Sequence, residues 1–241
     1  MSNNVVNPKV LFRTLCKKNL LQVSDNQLDL LGRYSLILLS WNKKINLISR
    51  KDENNFWQRH IIGSVSFLFK FQLQSESTML DIGTGGGLPG IPLAILHPTI
   101  KFTLIDSIQK KIHAVNDIVT QLKLDNVSVD CGRAEELAKK SDYAQKFDYV
   151  ISRAVAPIKD LVKWCKPFLR SAERVAGIDQ TQENGKLNIP RGSMLMLKGG
   201  NLAMETEAAM VKFKPNNLVT VALPSMDIED LIDKKIVIVQ L

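Results

Sequence analysis

The sequence predicts an α/β fold with a mostly parallel, seven-stranded sheet, preceded by a helical N-terminal extension. From residue 78 onward, short apolar runs alternate with segments of helical period, which is typical of parallel strands joined by crossover helices. The last two apolar runs, 218–223 and 235–240, have no helix between them, so the last strand is predicted to be antiparallel. Before residue 73, the apolar residues recur at helical spacing instead.

The predicted elements of the sheet region follow one another in a regular order. Strands are expected at 78–82, 101–106, 126–130, 147–152, 193–198, 218–223 and 235–240, and helices at 89–96, 108–122, 133–140, 157–169 and 201–211. The segment 171–192 is polar and contains Gly177, Gly185 and Pro190, so we interpret it as a long loop.

Three helices are predicted in the extension. The first runs over 8–21, with an apolar stripe made by Val10, Leu11, Leu15, Leu20 and Leu21. Ser24 or Asp25 can cap a second helix that reaches Leu39, and Asp52 can cap a third that reaches Leu68. We therefore divide the chain into a helical extension, residues 1–72, and a sheet domain, residues 73–241.

The positive charge of the chain is concentrated in the extension. Residues 1–72 contain eleven lysines and arginines against four acids, so they carry +7 of the net charge of +8. A cationic module favours nucleic acid as partner, because neutralising phosphates releases bound counterions. The alternative is a solvated surface that is basic by composition alone.

A glycine-rich turn follows the first predicted strand. The stretch from Met79 to Gly90 joins a short apolar run to glycines at 83, 85 and 87, and then to Pro89, which is suited to a first helical turn. Such a loop has almost no side chains, so another molecule can approach its backbone beside the positive end of the next helix.

Two acids help to identify the ligand of this loop. Asp81 lies two residues before Gly83, and Asp106 ends the next strand, 19 residues after Gly87, where an acid suits the two hydroxyls of a ribose. The pattern D-x-G-x-G-x-G favours S-adenosylmethionine. The spacing of Gly85, Gly87 and Gly90 also fits a nicotinamide dinucleotide, and a tight turn with a surface acid is the alternative without a ligand.

The loops after the third and fourth strands supply further candidates. Glu135 at the start of a helix can read an adenine edge or simply complement the helix dipole. Arg153 can pair with a cofactor carboxylate, with a nucleic-acid phosphate or in a surface ion pair. Enzymes that methylate exocyclic amines of nucleobases usually have an acidic or amide residue, two prolines and an aromatic residue in the loop after the fourth strand. The loop from Ile151 to Pro157 lacks this set, and it has no nucleophilic cysteine. A methyl acceptor that has no proton to remove, such as guanine N7, is compatible with the residues of this loop. We therefore expect no catalytic side chain.

Other classes of function find little support in the composition. Cys16, Cys131 and Cys165 are widely separated and show no metal-ligand spacing, so no metal site is expected. No apolar run approaches the roughly 18 residues that span a bilayer, and the first residues do not resemble a secretory signal. We expect a cytoplasmic monomer that does not bind membranes.

Several short motifs together resemble one bacterial family, the ribosomal RNA small subunit methyltransferase G family, also called glucose-inhibited division protein B. The motifs are Trp41-Asn42-Lys43 with Asn46-Leu47, Arg59-His60-Ile61, Asp81-Ile82-Gly83-Thr84-Gly85 with Gly87-Leu88-Pro89-Gly90-Ile91-Pro92, Leu104-Ile105-Asp106-Ser107, Ser152-Arg153-Ala154 and Leu197-Lys198-Gly199. The resemblance covers almost the whole chain. Gly63 stands where the family commonly has Asp, and Gly86 where Pro is frequent.

The resemblance implies a class I S-adenosylmethionine-dependent methyltransferase fold, Rossmann-like, that forms 7-methylguanosine in the decoding region of 16S ribosomal RNA. It also implies cofactor contacts at Gly83, Leu88, Ala134, Glu135 and Arg153. His60, although it lies in a family motif, is interpreted as a buried structural residue rather than a catalytic one.

The leading hypothesis combines both lines of reasoning. The cofactor would lie over the glycine loop, and its contacts would be Gly83, Gly85, Gly87, Leu88, Asp106, Ala134, Glu135 and Arg153. The RNA, naked or within the small ribosomal subunit, would contact Trp41, Lys43, Lys44, Arg50 and Arg59. A nicotinamide oxidoreductase and a ribosome-assembly factor without activity are the two alternatives.

Overall fold

The computed structural model describes residues 7–153, 156–171, 185–224 and 228–241. Three predicted features extend beyond these residues: the first six residues of the extension, residues 154–155 of the loop after the fourth strand, and residues 172–184 of the predicted long loop. No helix in the described part combines the length and hydropathy needed to cross a membrane.

Two capped helices open the chain. Helix α1 spans Pro8–Lys18, and the side chain of Asn7 accepts a hydrogen bond from the Lys9 amide at its start. Helix α2 spans Asp25–Asn42 and begins with a capping box, in which Ser24 and Gln27 bond each other's backbone amides. The prediction of Ser24 as a cap is thereby confirmed.

The apolar stripe predicted for α1 was partly wrong. The buried side chains of this helix are Phe12, Leu15 and Cys16, whereas Val10 and Leu20 are 56% and 67% exposed. The spacing of three and four residues from Phe12 defines the buried face, and Leu20 lies beyond the end of the helix with a positive φ.

The third predicted helix is helical but irregular. It consists of 3₁₀ turns at Arg50–Asn55, a π-helical turn at Trp57–Ile62, a short helix α3 at Gly63–Val65 and a further 3₁₀ turn at Ser66–Phe69. Asp52 does not cap it, which corrects the prediction; its carboxylate instead accepts a hydrogen bond of 2.5 Å from Arg59. No side chain of Arg50–Asn55 is buried, whereas most side chains from Phe56 to Phe69 are, so packing rather than an amphipathic stripe determines the path of the later turns.

Seven strands form the main sheet, in the order β4-β3-β2-β5-β7-β9-β8. Their bounds are β2 Thr78–Ile82, β3 Lys101–Asp106, β4 Val127–Cys131, β5 Tyr149–Arg153, β7 Ser193–Gly199, β8 Asn217–Ala222 and β9 Lys234–Gln240. Strands β2, β3, β4, β5 and β7 are parallel, and β9 is antiparallel to both of its neighbours, β7 and β8. The predicted antiparallel last strand is therefore confirmed.

The crossover helices of the sheet lie close to their predicted positions. They are α4 Gly90–Leu96, α5 Gln109–Leu122, α6 Ala134–Leu137, α7 Ile158–Cys165 and α8 Ala203–Phe213. Helix α7 stops earlier than predicted and continues as a 3₁₀ turn, Lys166–Phe168, because Pro167 has no amide hydrogen to extend an α-helix.

The extension and the sheet domain share a hydrophobic core. One cluster of buried side chains includes Phe12, Leu31 and Phe56 of the extension together with Ile91 and Phe102 of the sheet domain. A two-stranded sheet also joins the parts, since β1, Phe71–Gln72, pairs parallel with β6, Leu187–Asn188. A second cluster covers the opposite face of the main sheet. The described residues thus form three layers, and the extension packs over the layer that contains α4 and α5.

Candidate active site

The glycine loop has a backbone that side chains would strain. Gly83, Gly85 and Gly87 have φ angles of 71°, 58° and 89°, in the left-handed region that favours glycine. The amides of Gly83 and Thr84 both donate to the carbonyl oxygen of Ile105, at 2.9 and 3.0 Å. These bonds tie the loop to the end of the neighbouring strand β3.

Gly90, at the start of α4, is needed for a different reason. A Cβ atom at this position would lie 2.2 Å from Cδ2 of Leu104 and 2.8 Å from Oδ2 of Asp81. Only glycine allows the first turn of α4 to approach the sheet this closely, and this approach brings the end of the loop next to the strand ends.

Asp81 holds the loop from below. Its fully buried carboxylate accepts hydrogen bonds from the Thr84 hydroxyl at 2.7 Å and from the Gly90 amide at 3.0 Å. Burial raises the pKa of Asp81 to about 6, and the two hydrogen bonds oppose that rise. Asp81 is therefore a buried residue that positions the glycine loop.

Asp106 joins three parts of the site. One carboxylate oxygen accepts from the Gly85 amide at 3.0 Å, and the other accepts from the Ile108 amide at 2.9 Å. The side chain is 8% exposed and lines a cavity of about 240 Å³. A carboxylate held by two backbone amides has a fixed orientation and still has lone pairs for a ligand.

This first cavity lies at the carboxyl ends of β2, β3 and β4. The residues that line it are Ile82, Gly83, Ile105, Asp106, Ser107, Gly132, Arg133, Ala134, Glu135 and Trp164. The structure thus brings together Gly83, Asp106, Ala134 and Glu135, four of the predicted cofactor residues. Trp164 of α7 was not predicted, because a half-buried aromatic in an amphipathic helix cannot be distinguished by sequence from a core residue.

The other predicted cofactor residues lie elsewhere. The Gly85 amide already donates to Asp106, while Gly87 and Leu88 are buried and do not line the first cavity. Arg153, at the end of β5, lines a second cavity.

The second cavity has a volume of about 490 Å³ and is strongly cationic. It lies between the segment from Asp52 to Gly63 and the carboxyl ends of β5 and β7, beside the start of β9. Its charged lining residues are Arg59, Arg153, Lys198, Lys234 and Lys235, against the single carboxylate of Asp52. Lys198 is fixed there, because its ammonium group donates to the Ala156 carbonyl at 2.8 Å and to Glu205 at 2.7 Å.

His60 lines the same cavity and is 9% exposed. Its Nε2 atom lies 3.2 Å from a carboxylate oxygen of Asp52, yet neither ring nitrogen forms a well-aligned hydrogen bond within the described structure. Burial lowers the pKa of His60 to about 4, and the positive charge of Arg153 adds to this effect, while Asp52 opposes it. The imidazole is therefore neutral near pH 7.

The predicted RNA-binding residues occupy three different environments. The indole N–H of Trp41 donates to Asp117 of α5 at 2.7 Å, and the ammonium group of Lys44 lies 4.9 Å from the indole ring. Lys43, Lys44 and Arg50 are exposed. Arg59 lies at the second cavity, paired with Asp52.

Comparison with known proteins identifies a family. The family model described as GidB, rRNA small subunit methyltransferase G, matches residues 27–188. Relatives from several bacteria carry the name Ribosomal RNA small subunit methyltransferase G. The protein from Lachnoclostridium phytofermentans is 33% identical over 214 residues, which cover 87% of this chain and 81% of the relative. The protein from Flavobacterium johnsoniae is 39% identical over 183 residues, covering 76% and 78%.

A third relative, from Alkaliphilus oremlandii, is 39% identical over 150 residues, covering 62% of this chain and 63% of the relative, slightly less than two thirds of its length. Among solved structures, a SAM-dependent methyltransferase from Aquifex aeolicus matches with a TM-score of 0.51 and 14% identity over 79% of this chain and 94% of that chain. A predicted O-methyltransferase from Agrobacterium tumefaciens matches with a TM-score of 0.53 and 13% identity over 75% and 80%. These structures confirm the predicted fold class.

Proposed function

The chain belongs to the ribosomal RNA small subunit methyltransferase G family, and on that premise we propose that it transfers a methyl group from S-adenosylmethionine to N7 of a guanine in 16S ribosomal RNA. The observation that carries this proposal is the first cavity. There the glycine loop, a fixed acid and a helix start meet at the carboxyl ends of adjacent parallel strands. This is the edge at which α/β folds bind nucleotide cofactors.

The residues around the first cavity fit S-adenosylmethionine. Asp106 offers carboxylate lone pairs to the ribose hydroxyls, and Gly83 offers a side-chain-free backbone. Ala134 and Glu135, at the start of α6, lie where an adenine edge would contact them. Arg153 ends the strand next to β2 and would pair with the carboxylate of the cofactor. When bound, the cofactor supplies an electrophilic methyl group on a sulfonium.

Guanine N7 is an acceptor that suits this site. It has an in-plane lone pair and no proton to remove, so the protein has to hold the base in line with the methyl group and exclude water. The loop that follows β5 lacks the acid or amide and the aromatic that amine methylation uses, and it has no cysteine nucleophile. We therefore assign no catalytic base.

The extension would bind the RNA. Lys43, Lys44 and Arg50 present exposed cations that can neutralise phosphates, and Arg59 extends this charge to the second cavity. The chain would act as a monomer in the cytoplasm, on naked 16S ribosomal RNA or on the small ribosomal subunit, and it would have no role at membranes.

The test is a methyl-transfer assay with labelled S-adenosylmethionine on small subunits and on naked 16S ribosomal RNA from cells that lack this protein. Mass spectrometry of the nucleosides should show one added 7-methylguanosine. A methyl group on another atom would contradict the N7 assignment. Cofactor binding without transfer to either substrate would favour a ribosome-assembly factor, and binding of NADH in its place would favour an oxidoreductase.

A further inference from the structure

Apart from Arg153, the residues that line the second cavity have no part in the proposed cofactor contacts. The volume of this cavity, about 490 Å³, lies within the range of about 300–1,000 Å³ that is typical of small-ligand sites. Five of its lining side chains are Lys or Arg, and among the described lining residues only Asp52 is acidic. Arg59 is paired with Asp52 and Lys198 with Glu205, so Arg153, Lys234 and Lys235 supply the excess positive charge, which is suited to an anionic ligand.

The charged groups are arranged by depth. At the start of β9, Lys234 is exposed and Lys235 is partly exposed. His60, by contrast, is only 9% exposed. The outer part of the cavity therefore presents the ammonium groups of these two lysines. The inner part presents a neutral ring that packs against Phe56, with ring centroids 5.5 Å apart.

The second cavity is next to the first along the same edge of the sheet. Asp81 of β2 and Ile151 of β5 are paired, so Gly83 and Arg153, each two residues further on, end adjacent strands. Neighbouring strands are about 4.8 Å apart. A group held beside Arg153 would therefore be close to one held over Gly83.

His60 supplies an independent sign of a ligand. Its Nδ1 atom is buried and has no hydrogen-bond partner among the described residues, whereas its Nε2 atom lies 3.2 Å from a carboxylate oxygen of Asp52. A buried polar atom without a hydrogen-bond partner is unfavourable, and a bound polar ligand would supply that partner.

We propose that the second cavity receives the target nucleotide of the RNA, turned out of its stack, with its phosphate on Lys234 and Lys235 and the polar edge of its base against His60. This inference rests on the proposed function and identifies where its substrate binds. An enzyme that modifies a base atom in line with a cofactor has to present that base in a pocket. Charged groups at the rim suit the phosphate, and a neutral, buried donor and acceptor suits the base.

The first experiment removes the rim charges. Lys234→Ala with Lys235→Ala should raise KM for 16S ribosomal RNA by about tenfold or more and lower the slope of log KM against log salt by roughly one to two, because about two phosphate contacts are lost. The dissociation constant for S-adenosylmethionine, measured by calorimetry, should stay within about twofold. Lys212→Ala with Lys214→Ala, in exposed lysines at the end of α8, is the matched control and should leave KM unchanged.

Lys235 also donates to the Gly200 carbonyl at 2.5 Å, so the single variant Lys234→Ala separates loss of charge from loss of that bond. An unchanged KM in both variants would overturn the assignment of the rim. A loss of affinity for S-adenosylmethionine in place of RNA would also overturn it, since the cavity would then belong to the cofactor.

The second experiment concerns the base. His60→Phe keeps a flat ring beside Phe56 and removes both nitrogens, while Asp52 keeps its hydrogen bond from Arg59, so the thermal midpoint should change little. The value of kcat on RNA should fall by about tenfold or more with unchanged cofactor affinity. If kcat is unchanged, His60 has a structural role only and the base does not bind there. If the unmodified protein forms 7-methylguanosine while every variant behaves like it, the inference fails and the proposed function stands. If the unmodified protein transfers no methyl group to RNA, the proposed function fails, and with it this inference.

Discussion

The hydroxyl of Tyr34, in α2 of the extension, donates a hydrogen bond of 2.9 Å to the carbonyl oxygen of Gly86 in the glycine loop. Tyr34 is fully buried, and burial raises the pKa of its hydroxyl well above 10. Leu38 packs on the same residue, since a Cβ atom at Gly86 would lie 3.0 Å from its Cδ1 atom. The extension therefore holds the glycine loop in place, in addition to the role in RNA binding that its charge suggests.

Tyr34→Phe should lower both stability and cofactor affinity. The substitution leaves the buried Gly86 carbonyl without its donor, which costs about 1–2 kcal/mol of unfolding free energy. Urea denaturation measures the first effect and calorimetry with S-adenosylmethionine measures the second. Tyr149→Phe is the matched control, because it removes a hydroxyl that donates to Ile189 in the loop before β7. Equal cofactor affinity in the two variants would contradict a specific role for Tyr34.

Asp106→Asn should weaken binding of S-adenosylmethionine by at least about tenfold, because hydrogen bonds to a charged group contribute about 1.5–3 kcal/mol each. The side-chain NH₂ group of Asn would also face the backbone N–H of Gly85 or of Ile108, so two hydrogen-bond donors would oppose each other. Isothermal titration calorimetry gives the affinity directly. Asp125→Asn, in an exposed acid that precedes β4, should bind the cofactor normally, and an equal loss there would refute the assignment.

Asp81 should give the folding stability a distinctive pH dependence. Its pKa in the folded protein is about 6, above the ordinary value of 3.8, because of burial. The folded state therefore binds this proton more tightly than the unfolded state, and the resulting stability is complete below about pH 4 and is lost as the pH rises through 6. Compared with Asp81→Asn, the unmodified protein should lose up to about 3 kcal/mol over this interval. Urea titrations of both proteins between pH 4.5 and 7.5 measure this loss. If the Asp81 carboxyl has an ordinary pKa, the difference in unfolding free energy between the two proteins would stay constant over that range.

Gly90→Ala and Gly63→Ala should have opposite effects on stability. A Cβ atom at Gly90 would overlap Leu104 at 2.2 Å, and overpacking of this kind costs about 1–3 kcal/mol. At Gly63 the backbone is helical and a Cβ atom would be 3.6 Å from Leu231, an ordinary contact. Alanine should be neutral or stabilising there by up to about 1 kcal/mol. Thermal unfolding of the two variants tests this contrast, and similar midpoints would contradict it.

Reversing the charge of Lys43 and Lys44 to Glu should weaken RNA binding and flatten its salt dependence. Each lost phosphate contact lowers the slope of log K against log salt by about 0.7–0.9. Filter binding at several salt concentrations measures that slope, while calorimetry should show unchanged affinity for S-adenosylmethionine. The control variant carries Glu at Lys212 and Lys214. If both variants give the same slope, the net charge of the protein matters and the position of the charge does not.

The sequence alone predicted the succession of strands and helices along the chain and the edge of the sheet at which the proposed cofactor residues lie. Short-range rules were sufficient for this, since the period of apolar residues separates strands from helices, and glycines with positive φ mark the turn after β2. The acid at the end of β3 could be found in the same way. Because parallel strands bring their carboxyl ends to one edge, the loops after β2, β3 and β4 could be placed together from sequence, and the family resemblance singled out Ala134 and Glu135 in the third of them.

Tertiary structure decided what those residues face. The irregular path of residues 50–69, the indole of Trp41 bonded to Asp117 and the contact of Trp164 with the first cavity all depend on neighbours that are distant in sequence. Arg153 faces a second cavity because the segment around His60 packs over the end of its strand. The spacing of apolar residues along the chain shows which side of a helix or strand is apolar. It does not show which other helix or strand covers that side. The long-range packing of the extension on the sheet supplies that information.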